Sequence, residues 1–109
     1  MGRYDDAMKS LKDLNERFPD DERFVPLSFY KMAVINEKRG DKEAALKLLD
    51  AITLYRTSSF KDLALIESAR LLESMGKAQE SVGKLQEIIK GYPDSPFAEE
   101  ARRKIAGTK

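Results

Sequence analysis

The chain has 109 residues, of which 36% are charged and 41% hydrophobic, and its formal net charge is +1. Because basic and acidic residues nearly balance and are mixed along the chain, the composition does not indicate a surface for nucleic acid or an anionic membrane. The chain has no cysteine and no histidine, so it lacks the residues for disulfides, for cysteine-ligated zinc and for the commonest general base.

The first half of the chain is predicted to form three helices. Pro19 ends the first, and Pro26 is tolerated only in the first turn of a helix. The second helix is therefore expected to start near Arg23 or Phe24, after a short linker. Gly40 separates it from the third. The predicted ranges are 2–18, 24–39 and 40–55.

Three further helices are predicted in the second half. A polar break at residues 57–59 precedes the fourth helix, and Gly76 opens the fifth. Asp94 or Ser95 is expected to cap the sixth, which has Pro96 at its first position, where proline is favoured. Strict alternation and Asn-Gly or Asp-Gly turns are absent, so no strand is predicted. The predicted ranges are 60–75, 76–90 and 96–106.

One sequence pattern occurs three times without a gap, at residues 2–20, 40–58 and 76–94. Each copy starts with glycine, has a small residue five positions later and leucine nine positions later. The glycines stand 38 and 36 residues apart. Periods in this range indicate an array of helical repeats.

The offsets in this pattern place its apolar positions on one face of a helix. The glycine supplies the turn into that helix, and the acidic residues that follow complement the helix dipole in its first turn. The segment ends in residues suited to cap the next helix. The first-turn acids are Asp5, Asp6, Glu43 and Glu80, and the predicted caps are Asp20, Ser58 and Asp94.

With its glycine, the small residue five positions on and the proline seventeen on, the pattern resembles the second helix of a tetratricopeptide repeat (TPR). Ala33 and Ala69, seven positions before Gly40 and Gly76, stand where the family's first helix keeps a small residue. The resemblance implies an all-α, right-handed solenoid of antiparallel helix pairs. Its six helices would follow the order B, A-B, A-B, A, where A and B denote the first and the second helix of a repeat. They would form a single domain over residues 1–109. The implied packing positions are Ala7, Ala33, Ala45, Ala69 and Ser81.

The resemblance also implies that the chain binds a protein or peptide and is neither an enzyme nor a cofactor protein. The groove-side positions of the two complete first helices would form the binding groove. The alternative is that Tyr30 and Ile66 simply pack between repeats. The expected groove residues are Tyr30, Val34, Glu37, Leu63, Ile66, Arg70 and Glu73.

Within the family, the phrases FKDLALIESARLLESMGK and YPDSPFAEEARRKIA look most like bacterial envelope proteins. The similar groups are the ancillary subunits of the Sec translocon and the Tol-Pal-associated and outer-membrane-assembly lipoproteins. We therefore expect a scaffold or chaperone-like module in the periplasm or anchored at the envelope, with the cytoplasm as the alternative. We also expect the sequence to be a piece of a longer chain, and this segment has no apolar run long enough to insert into a bilayer.

Two charged clusters could carry chemistry. Residues 20–22 are all acidic and could hold a metal or act as an acid–base pair, but their place before a helix favours capping. Residues 99–104 could be a binding patch, but on a terminal helix they favour a solvated outer face. An enzyme that uses Asp/Glu pairs or Tyr is the rival hypothesis, and no glycine-rich phosphate loop supports it.

The first helix lacks a preceding partner in this sequence and has a broad apolar stripe. The following helix can cover only part of it, and an uncovered apolar face generally marks an interface. We therefore expect self-association through this helix as a two-fold dimer, or a groove filled by a neighbouring subunit. The stripe comprises Tyr4, Ala7, Met8, Leu11, Leu14 and Phe18.

Overall fold

The computed structural model describes residues 2–18, 21, 24–54 and 60–107. Over these residues it contains helices and turns but no strand, so the predicted all-α fold is confirmed. Each predicted helix lies within about two residues of its expected bounds, the usual disagreement at helix ends. None of the described helices is long and apolar enough to cross a membrane. The helices are α1 (Gly2–Arg17), α2 (Phe24–Lys38), α3 (Lys42–Leu54), α4 (Lys61–Ser74), α5 (Ala78–Gly91) and α6 (Pro96–Gly107).

The chain divides into two compact units, residues 1–60 and 61–109. The first unit contains α1 to α3, and in it α2 packs mainly against α3 and less extensively against α1. The second contains α4 to α6, and in it α5 packs against both neighbouring helices. A single domain over residues 1–109 stays a prediction.

Glycines with positive φ follow two of the helices, α2 and α4, and end them. Gly40 has φ 84° and Gly76 has φ 78°, in the left-handed region where other residues are strained. The amide of Gly76 donates to the Glu73 carbonyl at 3.0 Å, and the next amide donates to the Leu72 carbonyl at 2.8 Å. Gly40 forms the same pair of bonds, so both turns are Schellman motifs.

Within the described residues, side-chain caps are found at the start of α2, α3 and α6. Asp21 Oδ1 accepts from the amide three residues on at 2.8 Å, and Asp41 Oδ1 does the same at 3.1 Å. Ser95 Oγ accepts from an amide of α6 at 3.1 Å, which resolves the choice between Asp94 and Ser95. The predicted caps Asp20 and Ser58 lie outside the described residues.

The core of the first unit lies between α2 and α3. The small Ala33 and Ala45 are 3% and 0% exposed, so the two helices approach closely there. Larger apolar side chains on the two helices are also buried, and each removes more apolar area from water than an alanine does. They are Val25, Met32, Leu49 and Ile52.

The core of the second unit is shared by all three of its helices. One cluster of buried side chains joins Leu65, Ile66 and Ala69 of α4 to Leu85 and Ile88 of α5 and to Ala98 and Ala101 of α6. A polar contact supports this arrangement, because Ser95 Oγ donates to Asp62 Oδ2 at 2.7 Å and joins the start of α6 to the start of α4.

Candidate protein-binding site

The predicted packing positions lie where paired helices meet. Ala33, Ala45, Ala69 and Ser81 are all buried, and Ser81 Oγ donates to the Ala69 carbonyl oxygen at 2.8 Å. Ala7 differs because it is only half-buried. The difference arises because none of the described residues of the first unit covers Ala7 as α4 covers Ser81.

On α2, the predicted binding residues Tyr30, Val34 and Glu37 are half-buried. Tyr30 and Val34 line an apolar groove between α2 and α1, with Ala7 and Leu11 on the opposite wall. Glu37 is not among the lining residues. The structure therefore brings two of the predicted binding residues together with the apolar stripe of α1.

On α4, the predicted binding residues differ in exposure. Arg70 and Glu73 are exposed, and Leu63 is half-buried against the core of the second unit. The Arg70 guanidinium donates to Glu67 Oε2 at 2.5 Å, which fixes its direction along the helix. Ile66, one of the expected groove residues, is only 4% exposed and so is not accessible to a ligand. It is buried because α5 and α6 pack around it in the core cluster.

The groove between α1 and α2 is an open cleft of about 560 Å³. Polar contacts hold its two walls together. Ser28 Oγ donates to Asn15 Oδ1 at 2.5 Å, and Arg39 pairs with Asp5 at 3.2 Å near the other end of α1. The lining residues are Ala7, Ser10 and Leu11 of α1 and Tyr30, Lys31, Val34 and Ile35 of α2. The sequence does not identify Ser10, Lys31 and Ile35 as groove residues, because which side chains line the groove depends on how α1 packs against α2.

The apolar stripe of α1 is less covered than its counterparts. The repeat pattern aligns Ala7, Leu11 and Leu14 with three positions in each of α3 and α5. All six counterparts are at most 4% exposed, whereas the three residues of α1 are half-buried. Phe18, at the end of the stripe, is 54% exposed. The predicted partial coverage of α1 is therefore confirmed.

The other side of α1 borders a cleft of about 780 Å³ with walls of mixed charge. Both acidic and basic side chains line it, and Asp5 pairs with Arg39. Within the described residues, no group of three or more Asp and Glu side chains is placed to hold a metal ion. The charged lining includes Asp5, Lys9, Lys12, Asp13, Glu16, Arg39 and Asp41.

The two charged clusters singled out in the sequence have structural roles where they are described. Asp21 caps α2, while Asp20 and Glu22 lie outside the described residues. On α6, Glu100 pairs with Lys104 at 3.7 Å, one turn apart, and Arg102 and Arg103 are exposed. These contacts are those of a solvated helix face, which agrees with the interpretation favoured for residues 99–104.

The chain matches a known protein family. The family described as tetratricopeptide repeat matches residues 27–58 and 63–95, which together make up more than half of the chain. The first matched segment spans α2 and α3, and the second spans α4 and α5. A search of curated proteins gives no match.

Proposed function

This chain belongs to the tetratricopeptide repeat family, and from that membership we propose that it binds a protein or peptide and does not catalyse a reaction. Repeats of this family are generally protein–protein interaction modules. The observation that carries the proposal is the apolar groove at Tyr30 and Val34, because it places an aromatic side chain, a common anchor in interfaces, in an apolar cleft.

Each unit has its own proposed binding residues. On α2 they are Tyr30 and Val34, with Glu37 beside them. On α4 they are Arg70 and Glu73, which are exposed and so accessible to a ligand. Leu63, in the first turn of α4, is half-buried. Tyr and Arg are the residue types that most often dominate binding energy at interfaces. Ile66 is left out because it is buried.

Display of a peptide library against the immobilised chain tests this function. We expect selected peptides to bind the wild type and to bind a Tyr30→Ala, Arg70→Ala double variant at least about tenfold more weakly. A matched control, Glu43→Ala with Lys47→Ala, removes two exposed side chains from α3 and should bind as the wild type does. Failure to select any peptide, or equal binding by all three proteins, would contradict the proposal.

We further propose a bacterial envelope setting, in which the module acts as a scaffold or chaperone-like factor. Its support is the resemblance of the phrases around residues 60–77 and 92–106 to envelope members of the family. Fractionation of cells that express the natural full-length protein tests this setting. Recovery with the envelope or periplasm is expected, and recovery in the cytoplasm would contradict it.

Self-assembly is the second candidate function. It is favoured by the incomplete coverage of Ala7, Leu11 and Leu14, which leaves apolar surface on α1. Light scattering at micromolar concentration measures the mass in solution directly. A dimer that Leu11→Glu converts to a monomer would support self-assembly through α1, and a strict monomer unaffected by that change would exclude it.

A further inference from the structure

The charged cleft beside α1, with a volume of about 780 Å³, has a buried polar side chain in its wall. This side chain is Asn36, in the last turn of α2, which is 8% exposed. Within the described residues, its amide group takes part in no hydrogen bond, and it reaches solvent, unlike the fully enclosed hydroxyl of Ser68. Because buried polar groups are nearly always hydrogen-bonded, a free amide that lines a cleft indicates a place where a ligand binds.

The fold itself does not require a polar residue at Asn36. Asn36 and Leu72 both stand four positions before the glycine that ends their helix. Leu72 is 5% exposed, so the second unit fills the corresponding place with an apolar side chain of similar size. An unpaired amide at such a place costs free energy. We therefore attribute Asn36 to binding rather than to packing.

Four charged side chains on the α1 wall of the cleft have no partner of their own. Arg39 and Asp5 also line the cleft, but they pair with each other at 3.2 Å. Asp41 caps α3 through its Oδ1 atom. The other four charged residues are exposed, and none takes part in an ion pair within the part of the chain that the structure describes. They are Lys9, Lys12, Asp13 and Glu16.

These four charges form a basic half and an acidic half of the wall. The two lysines precede the two acids along α1, and the midpoints of the two pairs lie four residues apart. That separation is about 6 Å at the rise of a helix. In an extended chain, side chains two positions apart lie on the same face at a distance of about 6.6 Å. An acidic and a basic side chain two positions apart on an extended segment therefore match the two halves.

The amide of Asn36 lies next to the basic half. The ion pair near the start of α1 and the hydrogen bond near its end show that α1 and α2 run antiparallel, with Asn36 level with the turn that contains Met8 and Lys9. A side-chain amide offers both a donor and an acceptor. An extended segment has unpaired main-chain N–H and C=O groups, whereas a helix satisfies most of them internally. The amide therefore favours an extended peptide over a helix.

The second unit shows that a preceding helix leaves this wall open. There, α4 precedes α5 and packs against it. Apart from Lys9, the charged residues of the α1 wall align with residues of α5 that stay exposed although α4 is present. A helix that preceded α1 in the same way would therefore not fill the cleft. The aligned residues of α5 are Gln79, Gln86, Glu87 and Lys90.

We propose that this cleft binds an extended peptide segment of another protein. The main chain of the segment is hydrogen-bonded to the Asn36 amide, and an acidic and a basic side chain, two positions apart, contact the basic and the acidic half of the α1 wall. The inference rests on the proposed protein-binding function and adds a second surface to it, on the other side of α1 from the groove at Tyr30.

Nuclear magnetic resonance titration of the isotope-labelled chain tests the inference, because it detects weak binding and observes the Asn36 amide directly. The probes are short blocked peptides with the sequence Glu-Ser-Lys or Lys-Ser-Glu between serines, and a neutral peptide with Gln-Ser-Gln is the control. We expect one of the two charged orders to shift the Asn36 side-chain resonances saturably. That peptide should bind at least about fivefold more tightly than the neutral one.

Variants of the protein locate the binding. Asn36→Leu copies the residue of the second unit, so it should stay folded by circular dichroism and bind the charged peptide at least about tenfold more weakly. Lys9→Gln with Lys12→Gln should weaken the charged peptide at least about threefold and leave a peptide with only the basic side chain unaffected. The matched control, Glu43→Gln with Lys47→Gln, changes two exposed residues of α3 and should leave all affinities unchanged.

Three outcomes would overturn the inference: equal affinity for the charged and neutral peptides, wild-type affinity in Asn36→Leu, or no binding of the charged peptide by the natural full-length protein, which would show that the chain fills its own cleft. Each of these leaves the proposed function standing if library peptides still bind and lose affinity in the Tyr30→Ala, Arg70→Ala variant. If no library peptide binds either, the proposed function fails as well.

Discussion

The Ser81 hydroxyl donates to the carbonyl oxygen of Ala69 at 2.8 Å and so joins α5 to α4. In the first unit, the corresponding positions are Ala45 and Ala33, and both carry only a methyl group. Small side chains at these positions allow both helix pairs to approach closely. Among the described residues, the pair in the second unit adds a hydrogen bond across this contact.

Replacement of Ser81 by alanine is expected to cost about 0.5–1.5 kcal/mol in the free energy of unfolding. The change removes the bond to Ala69 but leaves the side chain that the first unit has at Ala45, so no large rearrangement is needed. Urea denaturation followed by circular dichroism measures the effect. Ser10→Ala, an exposed serine on α1, is the control and should change stability by less than about 0.5 kcal/mol. A Ser81→Ala protein as stable as the wild type would show that the bond contributes nothing.

Replacement of Ser68 by alanine is expected to change the free energy of unfolding in the opposite direction. It is fully buried in α4, and its hydroxyl has no hydrogen-bond partner among the described residues. Because a buried hydroxyl without a partner costs free energy, and alanine has the higher helix propensity, Ser68→Ala should stabilise the protein by about 1 kcal/mol. The same denaturation experiment measures it. A loss of stability in this variant would reveal a hydrogen bond that Ser68 makes in solution.

A bulky residue at Ala69 should overpack the contact between α4 and α5. Ala69 is 1% exposed and belongs to the core cluster, so Ala69→Leu is expected to cost about 1–3 kcal/mol and to lower the melting temperature. Arg70→Leu places the same side chain one position further on, where the residue is exposed, and should cost less than about 1 kcal/mol. If Ala69→Leu melted at the wild-type temperature, the repeat alignment that pairs Ala33 with Ala69 would be wrong.

The helices and their pairing could be predicted from the sequence because the signals are local and repeated. Gly40 and Gly76 end helices through a backbone conformation that favours glycine, and the apolar positions that follow them recur at helical spacing. The small residues at Ala33 and Ala69 also have a fixed distance from these glycines. Such patterns depend on neighbours in the chain, so they are visible without a structure.

The binding surface was less predictable because it depends on contacts between helices. Ile66 has the same helical register as Tyr30, yet α6 helps to bury Ile66 while Tyr30 lines a groove. The difference comes from what packs beside each residue, which the periodicity of one helix does not contain. For the same reason, the sequence did not identify Lys31 as part of the groove that α1 forms with α2.

Two glycines of the second unit should respond to alanine in opposite directions. Gly76 has φ 78°, and a Cβ atom added there would contact nothing within 4 Å, so the cost of Gly76→Ala comes from backbone strain alone. We expect that cost to be about 1 kcal/mol in the free energy of unfolding. Gly83 lies inside α5 and also has open space around its Cα. Because alanine loses less conformational freedom in a helix, Gly83→Ala should stabilise by about 0.5–1 kcal/mol.

Asparagine at Gly76 provides the matched control for this pair. It tolerates the left-handed conformation better than alanine does, so Gly76→Asn should lie between the wild type and Gly76→Ala. Urea denaturation of the three single variants and of the Gly76→Ala, Gly83→Ala double variant measures the changes in the free energy of unfolding. The double variant should be about as stable as the wild type, because the two effects nearly cancel. If Gly76→Ala were as stable as Gly83→Ala, the Schellman turn between α4 and α5 would not need a positive φ in solution, and the helix ends assigned here would have to be moved.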